Sequence, residues 1–120
     1  MASHNDFGRE AEQKAIEFLE RSGYEIVKKN WRYRKAEIDV IAKKGNELII
    51  VEVKARSSKE VMAPEEAVTA SKIKLLILAV DQYVVENELD VEVRFDIISI
   101  LKNEGEWEIT HIEDAFDALL

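Results

Sequence analysis

Apolar residues recur along this chain with two spacings, one typical of helices and one of strands. Residues 7–19 and 73–84 place apolar side chains every three or four positions, so each segment predicts an amphipathic helix. Residues 91–101 alternate apolar and polar positions, as a half-buried strand does. Residues 48–51 are apolar without interruption, so that strand would be buried on both faces and central in a sheet.

These patterns predict the element order α-β-β-β-α-β-β-α. Asn5 or Asp6 would cap the first helix, and Thr69 would cap the second after a helical turn at 64–66. Strands joined by short turns favour antiparallel pairing, whereas a helix between the third and fourth strands permits a crossover to a parallel neighbour. In chain order the predicted elements cover residues 5–21, 24–29, 31–43, 47–56, 69–87, 91–101, 106–112 and 113–120.

The predicted fold class is α/β, a mixed β-sheet flanked by helices on both faces. The chain has 120 residues, which fits a single domain over residues 1–120. It contains no cysteine, which excludes disulfides, thiolate metal sites and thiol catalysis. Residues 1–6 are polar and the apolar runs are too short to span a bilayer, so we expect no membrane partner and a cytoplasmic location.

Charge is distributed unevenly along the chain, although its total is −8. Residues 1–27 carry a net charge of −3, residues 28–74 of +5 and residues 75–120 of −10. Contact with phosphates depends on local charge rather than on the total. The central segment is therefore the candidate for nucleic-acid contact, although its basic side chains could equally solvate the outer faces of strands.

Two short motifs in this basic segment carry ionisable side chains at positions i and i+2, namely Glu37-Ile38-Asp39 and Glu52-Val53-Lys54. Such residues point to the same face of a strand, so two neighbouring strands would bring Asp39, Glu52 and Lys54 together. Two carboxylates about 4 Å apart repel by roughly 4 kcal/mol at an effective dielectric of about 20. They therefore need a shared proton or a cation between them.

A hard divalent ion such as Mg²⁺ or Mn²⁺ accepts this donor set, with Asp39 and Glu52 as ligands beside water and a substrate phosphate. Lys54 would then hold an attacking water or stabilise the charge that develops on phosphorus. The alternative is an exposed Glu–Lys pair of little consequence. Against it, Glu52 and Lys54 interrupt a strand that should be central, where charges are costly without a partner.

Four further residues would either support this site or simply face solvent. Glu12 falls on the apolar face of the first helix, where it would meet a polar site or lie at the edge of the buried stripe. Glu37 would orient a water or remain an edge charge. Arg56 and Lys72 would grip phosphates or point into solvent.

Arg32 and Arg34 alternate with aromatic residues. They would either clamp stacked bases or form the basic face of a strand. Asp96, between two apolar residues, is expected to be a buried and hydrogen-bonded acid. His111 is isolated in the sequence and we assign it no role.

The spacing of Asp39 and Glu52-Val53-Lys54 resembles the core of PD-(D/E)xK nucleases, in which an acid precedes Glu-x-Lys on the next strand. Nearly the whole chain resembles the YraN-like family of uncharacterised bacterial proteins. The matching positions are Gly8, Glu12, Ala15, Phe18-Leu19, Gly23-Tyr24, Asn30-Trp31-Arg32, Glu37-Ile38-Asp39-Val40-Ile41-Ala42, Val51-Glu52-Val53-Lys54, Arg56, Lys72 and Arg94-Phe95-Asp96.

This resemblance implies a restriction-endonuclease-like fold, similar to that of archaeal Holliday-junction resolvases, with a divalent metal and a DNA substrate. It implies that Asp39 and Glu52 are metal ligands, that Lys54 is the catalytic lysine and that Glu12 is a helix-one acid at the site.

The chain departs from the usual patterns at three positions. Ile38 replaces the proline before the first acid, and Ala36 and Ala11 replace glycines before Glu37 and Glu12. None of these changes removes a ligand.

Two functions fit these observations. The first is a metal-dependent endonuclease that hydrolyses phosphodiester bonds in structured or branched DNA. The second is a catalytically weak module on a nuclease-like fold that binds nucleic acid or a protein, since acidic residues 75–120 could dock a basic partner. Because cutting both strands is simplest with two sites, we also expect a homodimer.

Overall fold

The computed structural model describes residues 4–57 and 69–116, which form a five-stranded sheet between two helices. The helices are α1, His4–Arg21, and α2, Ala70–Glu86. The strands are β1 Glu25–Tyr33, β2 Ala36–Lys44, β3 Glu47–Ser57, β4 Glu92–Asn103 and β5 Glu106–Ile112. The order α-β-β-β-α-β-β and the restriction-endonuclease-like fold class are confirmed.

β3 lies at the centre of a mixed sheet whose strand order is β1-β2-β3-β4-β5. β1, β2 and β3 form an antiparallel meander, β4 runs parallel to β3, and β5 is antiparallel to β4. Ile49 and Ile50 point to opposite faces of β3 and are 0% and 1% exposed. The prediction that this apolar strand is central is therefore confirmed.

One helix covers each face of the sheet, as the sequence predicts. α1 buries Ala15 and Leu19 in the core cluster that includes Ile49, while α2 buries Leu76 in the cluster that includes Ile50. The crossover from β3 to β4 thus places the start of α2 over the second half of β3. Within the described residues, no helix is long and apolar enough to cross a membrane.

Two helix termini are capped, and the cap at the start of α2 is the one that the sequence predicts. At the end of α1, Gly23 has a φ of +90°, and the Tyr24 N–H donates to the Leu19 carbonyl at 2.9 Å. This six-to-one bond is typical of a Schellman cap, which glycine favours because it adopts positive φ without strain. At the start of α2, Thr69 Oγ1 accepts a hydrogen bond of 3.2 Å from the Lys72 N–H.

The start of α1 differs from the prediction. The helix already includes His4, so the prediction that Asn5 or Asp6 caps it is wrong, and both residues lie in its first turn. An acid such as Asp6 is favourable there because it faces the positive end of the helix dipole.

The break between the first two strands also differs from the prediction. β1 continues through Tyr33, which pairs with Ala36, so the turn consists of Arg34 and Lys35. Arg34 has a φ of +57°, a conformation that Gly, Asn or Asp adopts more readily. Because the alternation of residues 31–43 continues through this turn, the predicted strands at 24–29 and 31–43 are divided at the wrong place.

The predicted terminal helix is only partly within the described chain. Residues 113–116 form a turn rather than a helix, and residues 117–120 lie outside the described residues. The helical turn predicted at 64–66 also lies outside them.

A buried ionic cluster connects β4 to β5 and to the turn that follows. Asp96 is 0% exposed, and the Arg94 guanidinium donates to both of its oxygens at 2.9 and 2.8 Å. His111 Nε2 lies 2.6 Å from Asp96 Oδ2, and the Asp114 N–H donates to Oδ1 at 3.0 Å. Asp96 is thus the buried, hydrogen-bonded acid that the sequence predicts. His111 has a structural role that the sequence did not reveal.

Burial alone would raise the pKa of Asp96, but its hydrogen bonds from His111, Arg94 and Asp114 outweigh burial and lower that pKa. Asp96 therefore stabilises the fold above its unfolded-state pKa of about 3.9. This contribution is lost as the pH falls through the lower, folded-state pKa.

We predict that Asp96→Ala lowers the free energy of unfolding at pH 7 by about 3–5 kcal/mol, because Arg94 keeps a largely buried charge without its partner. Urea unfolding measures the loss, which should shrink as the pH falls below about 4. The control is Glu47→Ala, since Glu47 is 41% exposed and its carboxylate lies 3.6 Å from Arg94. That change should cost less than about 1 kcal/mol. Equal losses in the two variants would contradict the role of the buried acid.

Candidate functional site

The antiparallel ladder between β2 and β3 stops part-way along both strands. Its last pair is Val40 with Val51; residues 36–38 of β2 pair with β1, while β3 continues beside β4. At this fork, Asp39 Oδ2 accepts a hydrogen bond of 2.8 Å from the Val53 N–H. The Asp39 side chain thus supplies the acceptor that the β2 backbone no longer offers, and its carboxylate is fixed between the strands.

Glu52 brings a second carboxylate to the fork, from the centre of β3. It is 2% exposed, and its Oε2 lies 3.3 Å from Lys72 Nζ. Its Oε1 is buried and has no hydrogen-bond partner in the described part of the chain. Burial and the negative charge of Asp39 raise the pKa of Glu52 to about 7, against the opposing effect of Lys72 and Lys54. Burial also raises the pKa of Asp39, although the Val53 N–H opposes this.

Two lysines supply the positive charge that balances these acids. Lys54 is partly buried on the same face of β3 as Glu52, and Lys72 approaches from the first turn of α2. Burial lowers the pKa of Lys54, and the hydrogen bond and charge of Lys72 lower it further. Burial alone would lower the pKa of Lys72, but its hydrogen bond with Lys54 and the charge of Glu52 raise it.

Glu12 and Glu37 also approach Asp39. Burial and the charge of Asp39 raise the pKa of Glu12, against a hydrogen bond with Asn30 that lowers it. Glu12 thus faces the acidic site from α1 and is only partly buried. The charge of Glu37 also contributes to the raised pKa of both Asp39 and Glu12, while Arg32 Nε lies 2.6 Å from its carboxylate.

The basic residues proposed from the sequence separate into two groups. Arg56 follows Lys54 on the same face of β3, and its Nε is buried without a hydrogen-bond partner among the described residues. Arg32 is exposed and paired with Glu37 at the edge of the site. Arg34 is not brought to the site, because it lines a groove beside α2 and its guanidinium carbon lies 5.2 Å from the centre of the Tyr33 ring.

A small cavity lies beside the lysine end of the site. It has a volume of about 50 Å³, and Glu37 and Lys72 are among its lining residues. This volume holds about three waters and is too small for a phosphodiester group. A large substrate would therefore have to approach the fork from the open surface.

The donor set at the fork fits a hard divalent ion with few protein ligands. Among the residues that the structure describes, no group of three or more His, Asp or Glu side chains could hold a metal. An ion at the fork would therefore have the two carboxylates of Asp39 and Glu52, with water and substrate oxygens at its other positions. Mg²⁺ is commonly bound in this way. The unpartnered Oε1 of Glu52 supports the fit, since a buried carboxylate oxygen needs a donor or a cation.

Comparison with known proteins assigns the chain to a family. The model of the uncharacterised protein family UPF0102 matches residues 11–100. The chain belongs to the UPF0102 family. It is 52% identical to a UPF0102 protein of Flavobacterium psychrophilum, over 97% of this chain and 98% of the relative. It is 53% identical to one of Christiangramia forsetii with the same shares, and 46% identical to one of Parabacteroides distasonis over 98% of each chain.

These UPF0102 relatives confirm the resemblance to the YraN-like family of uncharacterised proteins. The segment matched by the UPF0102 model begins at residue 11 and ends at residue 100. It contains all of the residues at the fork, from Glu12 on α1 to Lys72 on α2. It ends before β5, which carries His111.

The sequence did not reveal the ion pair between Lys72 and Glu52. The two residues are separated by a crossover, and helical spacing within α2 does not determine its position over β3. The available signal was the break in the apolar pattern of β3 at Glu52, which required a cationic partner from some other element.

We predict that Lys72→Met lowers the free energy of unfolding by about 1–3 kcal/mol, because buried Glu52 loses its ion pair and keeps only the weaker effect of Lys54. The loss should fall short of that for a fully buried pair, since the Lys72 side chain is 40% exposed. Urea unfolding at pH 8 with a chelator measures it. The double variant Glu52→Gln/Lys72→Met should lose less than the sum of the single variants.

The matched control for this change is Lys74→Met, which removes an exposed lysine from the same helix. It should alter stability by no more than about 0.5 kcal/mol. An equal loss in Lys72→Met and Lys74→Met would exclude a stabilising role for the ion pair with Glu52.

Proposed function

We propose that this protein is a divalent-metal-dependent endonuclease that hydrolyses phosphodiester bonds in structured or branched DNA. The observation that carries the proposal is the buried, unpartnered Oε1 of Glu52, next to Asp39 at the fork of the sheet. A polar group left in this way costs about 1–3 kcal/mol, and more when it is charged. A bound cation would remove that cost.

Asp39 and Glu52 would hold Mg²⁺ or Mn²⁺ between β2 and β3. The Val53 N–H binds Asp39 Oδ2 and so fixes the orientation of that carboxylate, with Oδ1 as the oxygen to face an ion. When bound, the ion would act as a Lewis acid on the scissile phosphate. Glu12 and Glu37 would orient a water around this centre, because both lie close enough to Asp39 to affect its titration or to be affected by it.

Lys54 and Lys72 would divide the remaining chemistry. Lys54 would hold the attacking water and take up its proton, and burial beside Lys72 lowers the pKa of Lys54 in the direction that this role requires. The raised pKa of Lys72 keeps its ammonium charged, so that it would offset negative charge developing on the phosphate oxygens. Both groups are held in place by the packing of α2 on β3.

DNA phosphates would contact the basic side chains along the second half of β3. Arg56 is the strongest candidate, since its buried Nε lacks a hydrogen-bond partner among the described residues and a phosphate oxygen would accept from it. Arg32 is 76% exposed at the edge of the same site. Because the net charge of the chain is −8, binding would depend on this local patch and would weaken steeply with salt.

We predict Mg²⁺- or Mn²⁺-dependent cleavage of DNA junctions or flaps. Asp39→Asn, Glu52→Gln or Lys54→Met should each reduce the rate by about 100-fold or more, since each would remove a ligand or a proton acceptor. The matched control is Glu47→Gln, which changes an acid of the same strand outside the fork and should leave the rate within about twofold. Gel assays on junction, flap and linear DNA measure cleavage. Full activity in Asp39→Asn would exclude the assignment.

A second test separates metal binding from catalysis. We predict that Mn²⁺ raises the melting temperature of the wild-type protein, because an ion that binds only the folded state stabilises it by mass action. Asp39→Asn and Glu52→Gln should abolish this shift, while Lys54→Met should retain it. Calorimetric titration gives the dissociation constant. Salt-dependent DNA binding with neither a metal effect nor cleavage would favour the alternative, a binding module on a nuclease-like fold.

A further inference from the structure

The outer surface of α2 carries apolar residues that no part of the sheet covers. Leu75, Leu78 and Val85 are 39%, 57% and 73% exposed. At about 100° per residue, Val85 lies within about 20° of Leu78 around the helix, and Leu75 about 60° to one side. These three residues form a continuous exposed stripe, which we call the α2 stripe. Such a surface on a small protein commonly marks a contact with another molecule.

Charges of both signs border the α2 stripe on the side away from Leu75. Lys74 and Asp81 are exposed and lie about 40° and 60° from Leu78 in the same direction around the helix. Neither forms an ion pair within the described part of the chain. Asp81 also lines an open groove of about 290 Å³, together with Arg34 and Leu78.

This mixture of charges discriminates between possible occupants. A DNA backbone would meet Asp81 as well as Arg34 in the groove, and a strongly basic or strongly acidic partner would meet an unfavourable charge from Lys74 or Asp81. In a symmetric dimer the same patch faces itself, so it must carry both members of each charge pair. The α2 stripe meets this requirement.

We propose that the α2 stripe is the contact between two copies of this chain, with the two α2 helices antiparallel about a twofold axis near Leu78. The twofold axis is perpendicular to both helices, so the same flank of each α2 lies on the same side of the contact. Lys74 of one copy therefore faces Asp81 of the other, and this contact occurs twice. The same arrangement places Leu78 beside its counterpart and the exposed Val85 opposite the small Ser71.

The contact is small and the dimer is therefore weak. α2 has 17 residues and is about 25 Å long, so the helix pair covers less than the roughly 1,600 Å² of a standard interface. The proposed dimer does not depend on the proposed nuclease activity. The experiment that tests it measures molar mass rather than DNA cleavage. The contact borders the fork between β2 and β3, because Leu75 lines the same small cavity as Glu37 and Lys72.

Sedimentation equilibrium from low micromolar to sub-millimolar concentration tests the proposal at physiological ionic strength, where long-range repulsion between two acidic chains is screened. The wild-type mass should rise toward that of a dimer. Leu78→Glu should leave a monomer, and Lys74→Asp or Asp81→Lys should each weaken association by about tenfold, since each places two like-charge pairs in the contact. The double variant Lys74→Asp/Asp81→Lys should restore it.

The control is Val93→Glu, which introduces the same charge at an exposed apolar residue on β4 and should not change association. Circular dichroism checks that each variant is folded. A wild-type protein that stays monomeric at the highest concentration would overturn the proposal and leave the stripe to a different partner. Dimers that persist in Leu78→Glu, or a charge swap that fails to restore association, would also overturn it.

Discussion

Two carboxylates at the fork of the sheet, buried Glu52 and partly buried Asp39, constrain the residues around them. A continuous sheet separates its two faces, so side chains from a helix above it do not meet side chains from a helix below. Where β2 and β3 part, this separation ends. Asp39 is close enough to influence Glu12 on α1 and Lys72 on α2, which lie on opposite faces. The opening is held by one hydrogen bond, from the Val53 N–H to Asp39 Oδ2.

The charge at the fork constrains where α2 begins over β3. Glu52 is almost fully buried, and Lys72 approaches its Oε2 only because the helix begins at that point over β3. Thr69 fixes this start by accepting a hydrogen bond from the Lys72 N–H, so the cap and the ion pair involve the same residue. The position of α2 along β3 is thus determined by electrostatics as well as by the apolar contacts of Ile73 and Leu76.

Patterns within single elements were predictable from the sequence, whereas contacts between elements were not. The uninterrupted apolar run at 48–51 was enough to place β3 at the centre, and the i and i+2 spacing was enough to select the acids of the fork. The turn at Arg34 was missed because it has positive φ without the Gly or Asn that usually marks it. The partner of Glu52 on α2 was missed because hydrophobic periodicity carries no register between a helix and the strand it covers. His111 was missed as a partner of Asp96 because that periodicity does not fix the register of β5 against β4 either.

The fork also lowers the stability of the fold, compared with a chain that has an apolar residue at position 52. An apolar residue at Glu52 would extend the run at 48–51 and remove both the unpartnered oxygen and the need for a lysine at 72. Replacing buried ion pairs with well-packed apolar residues is often neutral or stabilising. A local conflict of this kind is typical of functional sites. It differs from buried Asp96 on β4, whose two oxygens both have hydrogen-bond donors. Asp39 contributes to the fold through its hydrogen bond with the Val53 N–H, whereas Oε1 of Glu52 has no such partner in the described part of the chain.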